Sequence, residues 1–195
     1  MRSVLAIVAA VLVLAAAVPA LAVKASVAPG AHPLSVGDAF PDVPLPGTLS
    51  PEAASYLGLA GDQAGQPLST VAAEVLVVEI FSMYCPFCQV EAPEVNALYS
   101  LIDKRGLSNR VKIIGIGAGN SDVEVDIFRK KYAVPFPLFA DADFAVHKRV
   151  GEVGTPFFYI LKKRPGGGYA VVSASLGQFD SPADFLSLIT RTAGI

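Results

Sequence analysis

The chain has 195 residues, of which 53% are hydrophobic, and its 15 basic and 17 acidic side chains give a formal net charge of −2. This slightly acidic balance excludes a protein that binds nucleic acid through a strongly basic surface. With only two cysteines, the sequence also excludes a fold held together by a network of disulfides.

The first 22 residues have the pattern of a secretory signal peptide. Arg2 is followed by an apolar run, Val4 to Val18, and the small residues Ala20 and Ala22 provide a cleavage site. The apolar stretch is also just long enough to cross a bilayer, so an uncleaved N-terminal anchor is the alternative. In either case the rest of the chain is expected to be exported, to the periplasm or the extracytoplasmic face of the membrane.

Residues 23–36 predict a linker, because Pro29, Gly30 and Pro33 interrupt a segment that has no hydrophobic period. A single domain, residues 37–195, is expected to follow, since the remaining length suffices for one full hydrophobic core. From Val36 to Val71, frequent glycines and prolines predict short strands and turns.

A buried parallel strand is predicted at Val75–Phe81, where a run of apolar, mostly β-branched residues is interrupted by one acid, Glu79. Apolar residues at helical spacing follow, and this helix is expected to end near Gly106. A second buried strand is predicted at Val111–Ile116. This strand–helix–strand order indicates a parallel sheet with helices packed against it.

The later elements continue this alternation. Ser121 and Glu124 have the spacing of a capping box, which predicts a helix from this point to Tyr132. Three glycines at 166–168 separate two strand patterns and predict an antiparallel hairpin. The remaining predicted elements are strands at Phe136–Phe139, Pro156–Leu161 and Tyr169–Leu176, and helices at Asp143–Val150 and Ser181–Thr192.

The two cysteines, Cys85 and Cys88, lie at the predicted junction between the first buried strand and the helix after it. At the start of a helix, unpaired backbone N–H groups and the helix dipole stabilise a thiolate, so we expect Cys85 to be a nucleophile. Pro86 suits the first helical turn, and Cys88, one turn later, can close a short disulfide with Cys85 as the resolving thiol. The pattern therefore favours redox chemistry.

Other functions of a cysteine pair fit the sequence less well. Two cysteines do not complete a four-sulfur zinc site, and the only histidines are His32 and His147, so no metal site is expected. Covalent haem attachment requires histidine directly after the second cysteine, where this chain has Gln89. A purely structural disulfide remains open, although so short a loop removes little entropy from the unfolded chain.

The segment Cys85-Pro86-Phe87-Cys88, followed later by Gly154-Thr155-Pro156 at the start of a strand, resembles the active site of thioredoxin-fold proteins. More narrowly, residues 35–192 resemble the exported TlpA/ResA-type thiol-disulfide oxidoreductases of the redoxin group. The resemblance implies an α/β, thioredoxin-like fold in which a central mixed β-sheet is flanked by helices. It also implies an N-terminal extension and a β-α insertion between the helix of the cysteines and the strand of the cis-proline.

The same resemblance implies roles for several other residues. Glu79 stands where thioredoxins have a buried carboxylate that relays a proton from the second cysteine; the alternative is a strand-end glutamate that reaches water. Glu91 matches the active-site glutamate of ResA-like proteins and would tune the thiol pKa values, unless it lies on a solvated helix face. Tyr84, Thr155 and Pro156 are expected to bind substrate, with a cis bond before Pro156 that frees the Thr155 backbone to pair with a substrate chain; the alternative is an ordinary trans proline.

Two features depart from the resemblance. Tyr84 stands where most relatives have Trp, which keeps an aromatic face and changes its hydrogen-bonding group. The pair Pro86-Phe87 between the cysteines resembles the dipeptides of glutaredoxin-like and DsbA-like proteins more than that of thioredoxin. The redox potential, and with it the direction of electron flow, therefore stays open.

The sequence predicts an exported thiol-disulfide oxidoreductase that acts on protein disulfides through Cys85 and Cys88 and needs no cofactor. The resemblance implies disulfide-bearing exported proteins as substrates, apocytochromes among them, and a membrane thiol reductant; a monomer is expected. One alternative is a peroxiredoxin-like thiol peroxidase, because Ser82 stands where those enzymes carry Thr or Ser, although Val78 replaces their proline. The other is a copper-handling chaperone of the same fold, since a cysteine pair can bind Cu(I).

Overall fold

The computed structural model describes residues 32–47, 49–60 and 64–195. The predicted signal peptide, residues 1–22, and most of the predicted linker, residues 23–36, lie outside this part of the chain. Within it, none of the helices combines the length and the apolar character that crossing a bilayer requires.

The described part of the chain alternates between strands and helices. The strands are β1 (Ala39–Phe40), β2 (Val75–Phe81), β3 (Val111–Ala118), β4 (Leu138–Asp141), β5 (Phe157–Lys163) and β6 (Tyr169–Leu176). The helices are α1 (Pro51–Leu57), α2 (Pro86–Lys104), α3 (Asp122–Lys131), α4 (Ala145–Arg149) and α5 (Pro182–Ala193), with a 3-10 turn at Leu68–Thr70.

The strands form one sheet in the order β1-β6-β5-β2-β3-β4. β2 pairs in parallel with β3, and β3 with β4, whereas β5 is antiparallel to both β2 and β6. All of β2 is buried, as its β-branched sequence predicts for a central strand. The sheet is therefore mixed and flanked by helices, as predicted.

Side chains alternate between the two faces of β2 and so divide between two hydrophobic layers. Val78 and Ile80 pack in the layer that includes α1 and α4. Val77 and Phe81 pack in the layer that includes α2, α3 and α5. Glu79 comes between Val77 and Phe81 in this alternation, so it lies on the face of the sheet that α2 covers.

Helix α2 begins directly after the first cysteine. Cys85 is its N-cap residue, and Pro86 occupies the first helical position, where an N–H group would have no intrahelical partner. The buried residues of the helix are Cys88, Glu91, Ala92, Val95, Leu98 and Ile102. Cys88 and Glu91 therefore lie on the side of α2 that faces the protein interior.

The region from 36 to 71 differs from the prediction of short strands and turns, because it also contains the helix α1. Ser50 caps this helix by accepting a hydrogen bond from the Ala53 N–H at 3.2 Å, and Pro51 begins it. Gly58, in the left-handed conformation, ends it. These signals are present in the sequence, but the many surrounding glycines and prolines conceal so short a helix.

Elsewhere the predicted elements are confirmed, with some boundaries shifted. The capping box of Ser121 and Glu124 is formed and begins α3. β4 begins at Leu138 rather than Phe136, because the proline between them has no N–H to donate to a strand ladder. α4 begins at Ala145 rather than Asp143.

Candidate active site

A tight turn delivers Cys85 from the central strand to the start of α2. β2 ends at Phe81, and the Cys85 N–H donates a hydrogen bond to the Ser82 carbonyl at 3.1 Å, which closes a turn over Met83 and Tyr84. α2 then begins at Pro86. Cys85 consequently lies where the first N–H groups of the helix have no intrahelical partner.

The two cysteines differ in exposure. Both are free thiols; Cys85 is half-buried, and Cys88 is fully buried. A protein partner therefore has access to Cys85 and not to Cys88. Among the residues that the structure describes, no three His, Cys, Asp or Glu side chains lie together as a metal site would require.

The surroundings of Cys85 and Cys88 shift their pKa values in opposite directions. Partial burial acts to raise the pKa of Cys85, but the polar groups near its sulfur, namely the Thr155 side chain, the Cys88 thiol and the backbone N–H groups of Cys88 and Phe87, outweigh burial and lower the pKa. Burial raises the pKa of the Cys88 thiol far above its ordinary value, and the charge of Glu79 adds to this. Cys85 is therefore the thiol that ionises first.

The loop before β5 lies against the accessible cysteine. The peptide bond between Thr155 and Pro156 is cis. The Thr155 carbonyl oxygen is 3.2 Å from Cys85 Sγ and accepts the hydrogen bond of the neutral thiol. The next carbonyl, that of Pro156, accepts a hydrogen bond from the Gly177 N–H at 2.8 Å, which ties this loop to the end of β6.

Glu79 is buried, with 4% of its surface exposed, so the alternative of a strand-end glutamate that reaches water is wrong. Burial, together with the charge of Glu91, raises the pKa of Glu79 to about 8. The charge of Glu79 in turn acts on the Cys88 thiol. A carboxyl group with this pKa can exchange a proton with its surroundings near neutral pH.

Glu91 is also buried, with 1% of its surface exposed, so it does not lie on a solvated helix face. Its Oε1 accepts a hydrogen bond from the Phe179 N–H at 3.1 Å, and the Gln178 side chain also bonds to the carboxylate. Burial nevertheless raises the pKa of Glu91. Glu91 therefore holds the loop between β6 and α5, a contact across 88 residues of sequence that no local pattern could reveal.

Exposed apolar side chains flank the cysteine pair. Tyr84 and Phe87 are 65% and 63% exposed, and the Tyr84 hydroxyl donates a hydrogen bond to Glu124 of α3. Leu176, also exposed, lies beside Gly154, where an added Cβ would come within 3.0 Å of Leu176 Cδ1. Sequence reasoning singled out Tyr84 and missed Phe87 and Leu176, because exposed apolar residues carry no periodic signal of their own.

The curated relatives that match the chain are named as thiol-disulfide oxidoreductases. The thiol-disulfide oxidoreductase ResA from Bacillus thuringiensis is 28% identical over 86 residues, which are 44% of this chain and 47% of that protein. ResA from Oceanobacillus iheyensis is 26% identical over 125 residues, which are 63% of this chain and 58% of that protein. The chain thus spans about half the length of the curated relatives it matches.

A solved structure shows the same fold. A protein from Chlorobium tepidum, assigned as a thiol:disulfide interchange protein DsbE, superposes with a TM-score of 0.61 at 17% identity, over 82% of this chain and 98% of that one. The predicted thioredoxin-like fold is confirmed. The sequence profile of the AhpC/TSA family matches residues 36–166, which include both cysteines and the cis-proline. The chain belongs to the AhpC/TSA family.

Proposed function

We propose that this chain is an exported thiol-disulfide oxidoreductase that reduces or exchanges protein disulfides through Cys85 and Cys88. The observation that carries the proposal is the pairing of an accessible thiol of lowered pKa with a fully buried thiol one helical turn away. The likeness to ResA proteins supports the same chemistry.

The reaction has two exchange steps. The Cys85 thiolate attacks one sulfur of a substrate disulfide, and the other substrate sulfur leaves as a thiolate. Cys88 then loses its proton and attacks Cys85 Sγ, which forms the Cys85–Cys88 disulfide and releases the second substrate sulfur as a thiolate. The two electrons that the dithiol gives up reduce the substrate disulfide, and a membrane thiol reductant would restore the dithiol.

The second step needs a base, because the pKa of Cys88 is raised far above neutral pH. Glu79 fits this role, since it lies in the layer between the sheet and α2, the helix that carries Cys88, and has a pKa of about 8. Glu91 acts on this step through its charge, which helps to raise the pKa of Glu79.

A substrate chain would lie along the loop of Thr155 and Pro156. An extended segment can pair with the Thr155 backbone, which brings its sulfur to Cys85 because the Thr155 carbonyl is 3.2 Å from Cys85 Sγ. Tyr84 and the exposed apolar side chains around it would cover the rest of the substrate. The substrates we propose are disulfide-bearing exported proteins, with apocytochromes as one class.

Turnover of insulin disulfides by the full-length chain, with dithiothreitol as electron source, tests the proposal. We expect Cys85→Ser to abolish turnover, and we expect reduced Cys88→Ser, mixed with insulin after dithiothreitol has been removed, to accumulate the mixed disulfide, because its release then requires the second thiol of the chain. Turnover of hydrogen peroxide without any effect on insulin would contradict the proposal and favour the peroxidase alternative. Stoichiometric Cu(I) binding without either turnover would favour the copper chaperone.

A further inference from the structure

The turn that delivers Cys85 leaves two polar groups of Met83 unused. Its single turn hydrogen bond joins the Cys85 N–H to the Ser82 carbonyl. The N–H and C=O groups of Met83, a central residue of the turn, belong to the two peptide groups on either side of its Cα. Both groups need partners from elsewhere in the fold, because Met83 is partly buried.

The first partner is Asn120, which follows β3 and has no exposed surface. Its Oδ1 accepts a hydrogen bond from the Met83 N–H at 2.8 Å. Two glycines allow the Asn120 side chain to approach Met83. At Gly117 a Cβ would come within 3.2 Å of the Asn120 side chain, and Gly119 has a φ of +67° in the loop just before it.

The second partner is Gln89, in the first turns of α2. Its Nε2 donates a hydrogen bond to the Met83 carbonyl at 2.7 Å. The peptide groups before and after Met83 are therefore each held by a side chain, one from the end of β3 and one from α2. The next residue of the turn, Tyr84, is held as well, through its hydroxyl on Glu124.

We infer that Asn120 and Gln89 are positioning residues for the nucleophile: together they fix the Met83 backbone and so hold Cys85 at the start of α2. The inference rests on the proposed function only in taking Cys85 as the attacking thiol.

The consequence for Cys85 follows from geometry. The backbone N–H groups of Phe87 and Cys88 act to lower the pKa of Cys85, and they do so only while Cys85 stays at the N-cap position of α2. If the turn relaxes, Cys85 Sγ moves relative to these groups and the thiolate loses part of its stabilisation. Asn120 and Gln89 carry no charge, so replacing them by uncharged residues leaves the electrostatic charges around Cys85 unchanged.

Alkylation of Cys85 by iodoacetamide, followed across pH on the full-length chain, tests the inference. A Cys88→Ser background leaves Cys85 as the only thiol of the chain. In this background we expect Asn120→Ala and Gln89→Met each to slow alkylation at neutral pH by about threefold to tenfold, with the pH midpoint raised by about half to one unit. Gln89→Met keeps the length of the side chain and removes the donor.

Asn96→Ala is the matched control. Asn96 also lies on α2 and holds a carbonyl, that of Tyr132, through its Nδ2 at 2.8 Å, so its replacement removes the same kind of bond away from the turn. We expect this control to be alkylated at the rate of the parent and with the same pH midpoint. A purely structural role of Asn120 would change thermal stability without moving the midpoint.

The inference is overturned if both Asn120→Ala and Gln89→Met alkylate at the rate and the midpoint of the parent. Because Asn120 is fully buried, its variant could fail to fold; the half-buried Gln89 then decides the test alone. The measurement needs no protein substrate. A parent that alkylates normally but does not reduce insulin would contradict the proposed function and leave the positioning roles intact.

Discussion

At the scale of single residues, the proposed reaction depends on the difference between two buried acids. Glu79 interacts with the Cys88 thiol through its charge, whereas Glu91 accepts a hydrogen bond from the Phe179 N–H. Both have raised pKa values, because burial disfavours the charged form of each. Glu79 is thus the proton acceptor we propose, whereas Glu91 also holds the loop between β6 and α5 through the Phe179 N–H.

Glu79→Gln should slow the second exchange step. Removal of the base leaves Cys88 to lose its proton to water, so we expect release of a preformed mixed disulfide to slow by about tenfold or more at neutral pH. In the parent, the release rate should rise with pH as Glu79 ionises, through about pH 8, and the variant should lack this rise. Stopped-flow measurement of the release of the mixed disulfide, at several pH values, checks both the slower rate and the missing rise with pH.

The exposed Glu94, on the same helix as Cys88, provides the control for that experiment. Glu94→Gln removes one negative charge that acts on Glu91 and not on Glu79, and we expect the release rate and pH profile of the parent. An unchanged profile in Glu79→Gln would show that another group, or solvent, takes the proton from Cys88.

Glu79 also makes the stability of the fold depend on pH. Its pKa is raised from 4.5 to about 8, so between these values the folded chain keeps a proton that the unfolded chain has released. Its contribution to the free energy of unfolding is therefore fully present below pH 4.5 and is lost as pH rises to about 8. Relative to Glu79→Gln, the parent should lose about 5 kcal/mol of unfolding free energy over this range, which urea unfolding at several pH values measures.

At the scale of elements, one loop joins several parts of the site. The loop between β6 and α5 donates from Gly177 to the Pro156 carbonyl and from Phe179 to Glu91. Phe179 also stacks on Phe185 of α5, with ring centroids 4.5 Å apart. The cis-proline loop and α2 are therefore connected through the loop that precedes α5.

Glu91→Ala should loosen this loop. The half-buried Phe179 N–H would lose its partner, and we expect a loss of about 1–3 kcal/mol in the free energy of unfolding. Hydrogen exchange should be faster at Phe179 and at Gly177, because the two amides share the loop. Glu94→Ala, at an exposed position of α2, should change neither. Slow exchange at Phe179 in Glu91→Ala would mean that the loop is held by its aromatic contacts alone.

The elements also show how far the sequence predicts the fold. Residues 75–81 were identifiable as a central strand because they are β-branched and apolar, and the capping box at Ser121 is a local signal. The contact of Glu91 with Phe179 and that of Asn120 with Met83 join residues 88 and 37 positions apart. Such contacts depend on how the elements pack, so no pattern within one segment predicts them.

At the scale of the whole molecule, the two faces of the sheet have different roles. The first layer, under α2 and α5, contains Cys88, and Glu79 and Glu91 face it. The opposite layer, with α1 and α4, is hydrophobic core. The segment after β3, which includes α3 and β4, adds side chains to the first layer and brings Asn120 and Glu124 to the cysteine turn. The region that extends a simple strand–helix–strand unit therefore also supports the proposed active site.

The reduction potential of the Cys85–Cys88 couple, titrated on the full-length chain in glutathione and dithiothreitol buffers, tests the central claim most directly. We expect one reversible two-electron couple, which Cys88→Ser abolishes; a value near or below about −220 mV would indicate a reductase, and a value near about −120 mV an oxidant. The absence of any two-electron couple in the parent chain would contradict the claim that Cys85 and Cys88 exchange disulfides.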